Sequence, residues 1–548
     1  MAKPVRLTQQ MIEDNKRKGI WSDAAIVDLW DRNARLYPND EAIVDSRTRL
    51  TWSQAKVMID RLALGLIEMG IKKDEMLVVQ LPNSAELHLF RLACEKASIL
   101  CIPVQRNLRH REMEYILQQT DAVGVVINFE FRDFNYYDMI QSLRPNLPKL
   151  RNIMVAGDKV PAGTISVNEM LKNPLEKKYP ADYLQKTKCK GTDFYLIMHT
   201  TGTTGFPKFV EYPIAPRIFS NKGFIDSFKL TKKDVLGAFS AASAGPNCIA
   251  YFTAPEVACK TIWEEHFNPE EAFQLIEKEK ITIGLVVPTN LALMLRHPSL
   301  GKYDLSSMRL WWCVGAMLPY PVALETEAKL GGKINSGLGA TDFGGYTIHP
   351  FDAPQQKRLL TLGKGIPGMT DVRLVDEFGK DIKKGEVGEV WLSGPAAVSG
   401  YYRDPKTTAQ AWTADGWFKM GDLGYFDKDD DLVLVGRKKD MIIRAGQNIY
   451  PIEIENILLT HPKVAATSIV AVPDPVVGEK ACAFVVTKGN EKITFKEMIA
   501  FLTEQKLAPY KLPELLEFID KLPLVAGEKV DKKALQTEAV ARMAAAKK

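Results

Sequence analysis

Along this chain, stretches with apolar residues at helical spacing are followed repeatedly by short, wholly apolar runs. Leu50-Thr51-Trp52-Ser53 opens an amphipathic helix that reaches Met69, Gly70 ends it, and Met76–Leu81 follows as a strand. A helix over 85–96 precedes a strand over 99–104, and a helix over 111–120 precedes one over 124–127. The pattern returns with Pro269–Lys280 before Thr282–Val287, and around Met308–Val314. Helix then buried strand, several times over, predicts an α/β fold: a large N-terminal domain of doubly wound sheets. From about Thr361 the texture changes. Asp371–Val375 and Gly388–Leu392 alternate between Gly-rich turns, which predicts a small β-rich sub-domain over about 361–436. Beyond Gly436-Arg437-Lys438-Lys439-Asp440 a compact α+β unit is expected, with helices over 452–460, 494–505 and 532–542 and strands over 465–472 and 481–486. The expected division is 1–436 and 437–548. The charged run 437–440 reads as a hinge or, equally, as a solvated turn.

Composition narrows the partners. A chain of 548 residues is too long for one core. A net charge of +5, from 72 basic and 67 acidic residues without a single-sign block, argues against nucleic acid or a membrane as the main partner. The cysteines are odd in number and scattered, with no Cys-x-x-Cys pair, so buried free thiols in a reducing compartment are expected. No apolar run approaches ~18 residues and Met1–Trp21 lacks an apolar signal core, so no membrane span and a cytoplasmic location are expected.

The densest chemical signal is Thr200-Thr201-Gly202-Thr203-Thr204-Gly205-Phe206-Pro207-Lys208. Its glycines let backbone N–H groups approach an anion, its hydroxyls donate to the remaining oxygens, and Lys208 adds a point charge. It is not the common phosphate loop, because Phe209 follows the lysine where that motif needs Ser or Thr. Alone, the segment reads equally as a polar surface turn. Five further segments accompany it: Val314-Gly315-Ala316, Gly337-Leu338-Gly339-Ala340-Thr341-Asp342, Gly416–Asp422, Gly436–Gly446 and Leu522–Lys529.

In that order these motifs resemble the acyl-adenylate-forming superfamily, its acyl-CoA synthetase and aryl-acid ligase branch, over roughly residues 25–535. The resemblance implies an AMP-forming acid–thiol ligase using ATP, Mg²⁺ and coenzyme A. It implies that Thr200–Gly205 and Lys208 hold the ATP phosphates and that Val314, Gly315, Ala316 and Gly337–Thr341 surround the adenine. Leu338 replaces the family's stacking aromatic, and Asp342 replaces its metal-binding glutamate, one methylene shorter. Asp422 is expected on the ribose hydroxyls, Arg437 on ribose or α-phosphate, Lys439 at the hinge, and Gly446 and Tyr510 on CoA. Tyr510 reads equally as a core residue. Lys529 is expected to be the mobile catalytic lysine, although Glu528 stands where the family has Gly, and Lys532 or Lys533 are weaker substitutes. The expected acyl pocket is Phe239, Ser243, Ala244, Gly245, Gly315, Gly337 and Phe343. Ala244 cannot hydrogen-bond a ring hydroxyl, so an uncharged cyclic acid is expected, benzoate-like or cyclohexane/cyclohexene carboxylate-like. A medium-chain fatty acid, a carrier-protein acceptor and an inert nucleotide-binding relative remain alternatives. The partners expected are a small carboxylate and CoA, with a homodimer left open.

Overall fold

The structure is a computed structural model. It describes residues 6–200, 207–241, 245–489, 491–525 and 529–546, without the side chains at 525, 529 and 544–546. Two mainly parallel sheets build the larger part. One runs Lys333–Ser336, Leu310–Cys313, Ile283–Val286, Val235–Ala238, Lys260–Trp263, Glu41–Val44, Arg49–Thr51, and only the last strand is antiparallel to its neighbour. The other runs Gly400–Tyr401, Phe209–Pro213, Phe194–His199, Leu100–Pro103, Met76–Gln80, Gly124–Asn128, Asn152–Ala156, Ile165–Ser166. In it, Phe209–Pro213 is antiparallel to both neighbours.

The helix signals act as the sequence suggests. Trp52–Glu68 starts at Thr51, whose hydroxyl accepts from the Gln54 N–H while the Gln54 side chain accepts from the Thr51 N–H. It stops where Gly70, at φ +74°, donates to Ile67 O and Ile71 donates to Leu66 O. The following helix, Ala85–Ala97, is buried on nearly every face, so its periodicity understates its burial. Its Lys96 is tolerated inside because Asp31 and Asp60 lie 2.7 and 2.6 Å from the ammonium.

The expected β-rich region is a four-stranded antiparallel sheet, Asp371–Val375, Gly388–Ser393, Phe418–Phe426 and Leu432–Arg437. Lys438–Asp440 then form a single 3₁₀ turn. Beyond it, Ile442–Arg444, Gln447–Ile449, Val464–Asp474 and Gly478–Thr487 form a separate sheet, with Leu515–Phe518 added in parallel. Helices Pro451–Leu458 and Phe495–Glu504 close a core of their own around Ile454, Leu458, Met498 and Leu502. The fold is therefore α/β, a large N-terminal domain of doubly wound sheets with a β-rich sub-domain and a small α+β C-terminal domain.

Candidate functional site

Parallel strands point their carboxyl ends, and the loops that leave them, to one side of each sheet, where α/β proteins bind ligands. Strand Phe194–His199 feeds residues 200–208. Their base is closed: Thr200 N–H donates to Lys208 O at 3.0 Å, and Lys208 N–H donates to Thr200 Oγ1 at 3.3 Å. Thr201, Gly202, Thr203, Thr204 and Gly205 lie outside the described residues. Strand Phe209–Pro213 then pairs with Gly400–Tyr401, setting Val210 opposite Tyr401. That pairing puts the Lys208 ammonium 4.7 Å from the centre of the Tyr401 ring. The same ring donates its hydroxyl to Asp342 Oδ2 at 2.5 Å. Burial, then the Asp342 charge, pushes the Tyr401 phenol above its ordinary value, so it stays a protonated donor. Lys208 and Asp342, far apart in sequence, are thus brought to one tyrosine.

The loop carrying Asp342 is held from two sides. The Tyr212 hydroxyl donates to Thr341 O at 2.7 Å. The buried Arg217 guanidinium donates to Gly344 O and Ala396 O. Gly344 sits at φ +88°, and a Cβ there would come 2.8 Å from an Arg217 nitrogen. Glycine is therefore required by both conformation and space.

A second cluster forms on the β-rich sheet. Asp422 and Arg437 are register partners on antiparallel strands, with Arg437 Nε 3.0 Å from Asp422 Oδ1. Asp422 is 4% exposed whereas Arg437 is exposed, so the carboxylate is fixed beneath a guanidinium that reaches solvent. A cleft of about 380 Å³ opens beside them, lined by Met420, Gly421, Arg437, Lys438 and Lys439. Burial and the Arg437 charge lower the Lys439 ammonium from its ordinary value, opposed by Asp440, Asp422 and Asp531. Asp531 follows Lys529 by two positions, so the linker lysine and the C-terminal hairpin share one electrostatic field. In that hairpin Lys529 pairs through its backbone with Val525, and its side chain lies outside the described residues. Lys532 is committed to packing: its ammonium bonds Glu455 Oε1 at 2.7 Å and Ile469 O at 3.2 Å. Gly446, exposed at φ +79°, stands at the tip of hairpin Ile442–Ile449. Tyr510 is half-buried against the C-terminal core, beside the Lys511–Glu453 ion pair.

The third group surrounds two strand ends. Val314 is buried, while Gly315 (φ +99°) and Ala316 are exposed just past Leu310–Cys313. Past the next strand, Leu338 is buried and donates to Thr347 Oγ1 at 2.8 Å. Gly339 bridges to Tyr346, where a Cβ would fall 2.3 Å from the ring. A Cβ at Gly337 would fall 2.1 Å from Thr347 O, so close strand approach demands that glycine. Ala340 O accepts from the N–H groups of Phe343 and Gly344, turning the chain at Thr341 and Asp342. Tyr346 packs on Trp312 and Phe224, donates to Gly245 O at 3.4 Å and hydrogen-bonds the Cys248 thiol, which burial pushes up to about 11.

Two residues expected to line this pocket lie elsewhere. Phe239 turns to the opposite face of its sheet, packing over Gly237 with Ile281 and Trp311. Phe343 is fully buried against Trp412 and Phe418 of the β-rich sub-domain. Ser243 and Ala244 lie outside the described residues. Sequence reading missed Tyr401, Tyr212, Arg217 and Cys248, whose proximity arises only from long-range strand and loop pairing.

Residues 30–402 match the family model of the AMP-binding enzyme, and 453–529 that of the AMP-binding enzyme C-terminal domain. The medium-chain fatty-acid–CoA ligase of Escherichia coli K12 is 28% identical over 535 residues, covering 96% of this chain and 93% of its own. The 2,3-dihydroxybenzoate-AMP ligase of Bacillus subtilis 168 is 29% identical over 532 residues, covering 96% of both chains. The crystal structure of the anthranilate CoA ligase AuaEII in complex with anthranoyl-AMP has the same fold, with a TM-score of 0.85 at 23% identity, over 96% of this chain and 98% of that one. The chain belongs to the AMP-binding enzyme family, the acyl-adenylate-forming superfamily, and is an AMP-forming acid ligase.

Proposed function

We propose that the protein is a carboxylate–CoA ligase that activates an uncharged cyclic acid, benzoate-like or cyclohexane/cyclohexene carboxylate-like, with ATP. The observation that carries this reading is the pair of fixed polar groups: Lys208–Tyr401–Asp342 at one strand end and Asp422–Arg437 on the β-rich sheet. The first suits polyphosphate, the second a ribose and α-phosphate. A carboxylate accepting two hydroxyl protons is a specific use for Asp422.

In the first half-reaction the acid's oxygen bonds to the α-phosphorus, and the bond to departing pyrophosphate breaks. Negative charge builds on both sides of phosphorus, so catalysis is positioning plus neutralisation. Lys208 and the Thr200–Gly205 segment are assigned to the leaving pyrophosphate. Val314–Ala316 and Gly337–Thr341 are assigned to the adenine, and Lys529 to the junction of acid and α-phosphate, where an ammonium screens two anions. Among the described residues no three ligating side chains gather, yet Mg²⁺ is commonly held by one carboxylate with substrate phosphates, and Asp342 is such a carboxylate. Asp342 would hold it there, and the bound ion would supply charge neutralisation at the leaving pyrophosphate. In the second half-reaction the thiol sulfur of CoA bonds to the acyl carbon, its proton leaves to solvent, and AMP departs. The chain is divided for this purpose at 436/437, with Lys439 as the hinge and Gly446 and Tyr510 facing CoA.

The acid assignment is supported by Tyr346, whose hydroxyl meets Gly245 O and whose ring packs on Trp312 beside Gly337: small residues next to aromatic rings suit a flat or puckered ring. Arg217, the charge near Tyr346, gives its terminal nitrogens to two backbone carbonyls. The fatty-acid ligase relative favours a medium-chain acid as the second reading. A panel of carboxylates assayed for AMP formation with and without CoA tests both. Fastest CoA-dependent turnover with benzoate or a cyclohexene carboxylate is expected. Hydroxybenzoates beating benzoate severalfold in kcat/KM would overturn the ring assignment, octanoate beating both would favour the second reading, and no CoA dependence would overturn the acceptor.

A further inference from the structure

We propose that Tyr401 is a positioning residue for the phosphate end of the site, its hydroxyl orienting Asp342 and its ring seating Lys208. The inference rests on the ligase reading and adds a residue to it. Three observations converge. Tyr401 is 3% exposed, so its ring has one orientation and its hydroxyl one partner, Asp342 Oδ2 at 2.5 Å. With Oδ2 engaged, Oδ1 is the oxygen left to face a ligand. The Lys208 ammonium meets the ring's π-face at 4.7 Å and forms no ion pair among the described residues, which holds it ready for an incoming anion.

The tyrosine is itself held by the fold. Its N–H donates to Thr408 Oγ1 at 3.0 Å, and its strand is locked to Phe209–Pro213 by Tyr402 N–H to Phe209 O at 2.7 Å and Ser399 N–H to Glu211 O at 3.1 Å. Phe209 directly follows Lys208. One strand pairing thereby fixes a cation, a ring and a carboxylate in a single arrangement. Removing the hydroxyl should disturb Asp342 alone, and removing the ring should disturb Lys208 as well.

Titration calorimetry on the full chain tests this with a non-hydrolysable ATP analogue, at a series of magnesium concentrations, beside AMP. In Tyr401→Phe the magnesium needed for half-maximal analogue binding should rise about five- to tenfold, while affinity without magnesium stays as in the parent. In Tyr401→Leu affinity without magnesium should also fall, about threefold or more. AMP, which lacks the β- and γ-phosphates, should bind both variants as it binds the parent. Adding Asp342→Asn to Tyr401→Phe should raise the magnesium requirement less than the sum of the two single effects, since the two residues act through one oxygen. Parent-like magnesium dependence in Tyr401→Phe would overturn the proposal, and so would equal losses for AMP and the analogue, the mark of a purely structural role. Failure of the parent to bind the analogue at all would instead count against the ligase reading.

Discussion

Asp422 and Arg437 face each other across two strands, so their pairing is set by register before a nucleotide arrives. If Asp422 receives the ribose, Asp422→Asn should weaken AMP about ten- to a hundredfold, the scale of one or two charge-assisted hydrogen bonds. In calorimetry, a 2′,3′-dideoxy nucleotide should lose the same factor against the parent and little more against the variant. Lys529→Ala should slow adenylation about 10²–10³-fold in pyrophosphate exchange yet leave thioester formation from supplied acyl-adenylate near the parent rate. At this scale the sequence singles out Lys208, Asp342 and Asp422 by motifs of fixed spacing, and the structure brings the first two to Tyr401 and pairs the third with Arg437. The side of Phe239 was not legible, for a reason of parity. Side chains along Val235–Ala238 alternate, so Phe239 shares a face with Gly237, while Leu236 and Ala238 join the core that holds Trp312. A strand buried on both faces shows no alternation from which to choose the side.

Among the elements, the end of helix Pro269–Glu279 shows how the strand layer is fastened. Glu279 accepts from Arg49 at 2.8 Å and from Lys260 at 3.0 Å, joining the helix to two strands of the first sheet. Arg49 first, with Lys260, holds its carboxyl down at about 2, against an ordinary value of 4.5. The folded value is depressed, so the stabilisation is whole above about 4.5 and fades as pH falls toward 2. Glu279→Gln should therefore lower the urea midpoint at pH 7 by the equivalent of about 2 kcal/mol, with the gap to the parent narrowing at pH 3. The main helices and strands were legible because capping, glycine stops and apolar runs agree along the chain. The complete burial of Ala85–Ala97 was not. Its charged residues are buried on partners distant in sequence: Lys96 on Asp31 and Asp60, Arg91 over the Tyr251 ring, and Glu95 accepting from the Val27 N–H.

For the whole molecule, sheet membership changes across Lys438–Asp440, where the sequence placed its charged linker. On the proposed two-step cycle, the C-terminal domain rotates about Lys439. Lys439→Pro should then abolish thioester formation while leaving pyrophosphate exchange within about threefold of the parent, and equal loss of both activities would remove the rotation from the mechanism. The linker was legible from charge and from the change of pattern around it. What it links was less so, because no local signal says that Lys532 turns inward to Glu455 rather than toward a ligand.

That inward turn bears on timing. Asp531 N–H donates to Pro523 O, and Lys532 ties the base of the hairpin to Glu455 and Ile469, so on the proposed cycle that base would move with the C-terminal domain. On that proposal, withdrawal of the Lys529 ammonium and admission of the thiol would be one event. An acid whose adenylate accepts sulfur slowly would spend the interval exposed to water, and wasted ATP, more than weak binding, would mark it as a poor substrate.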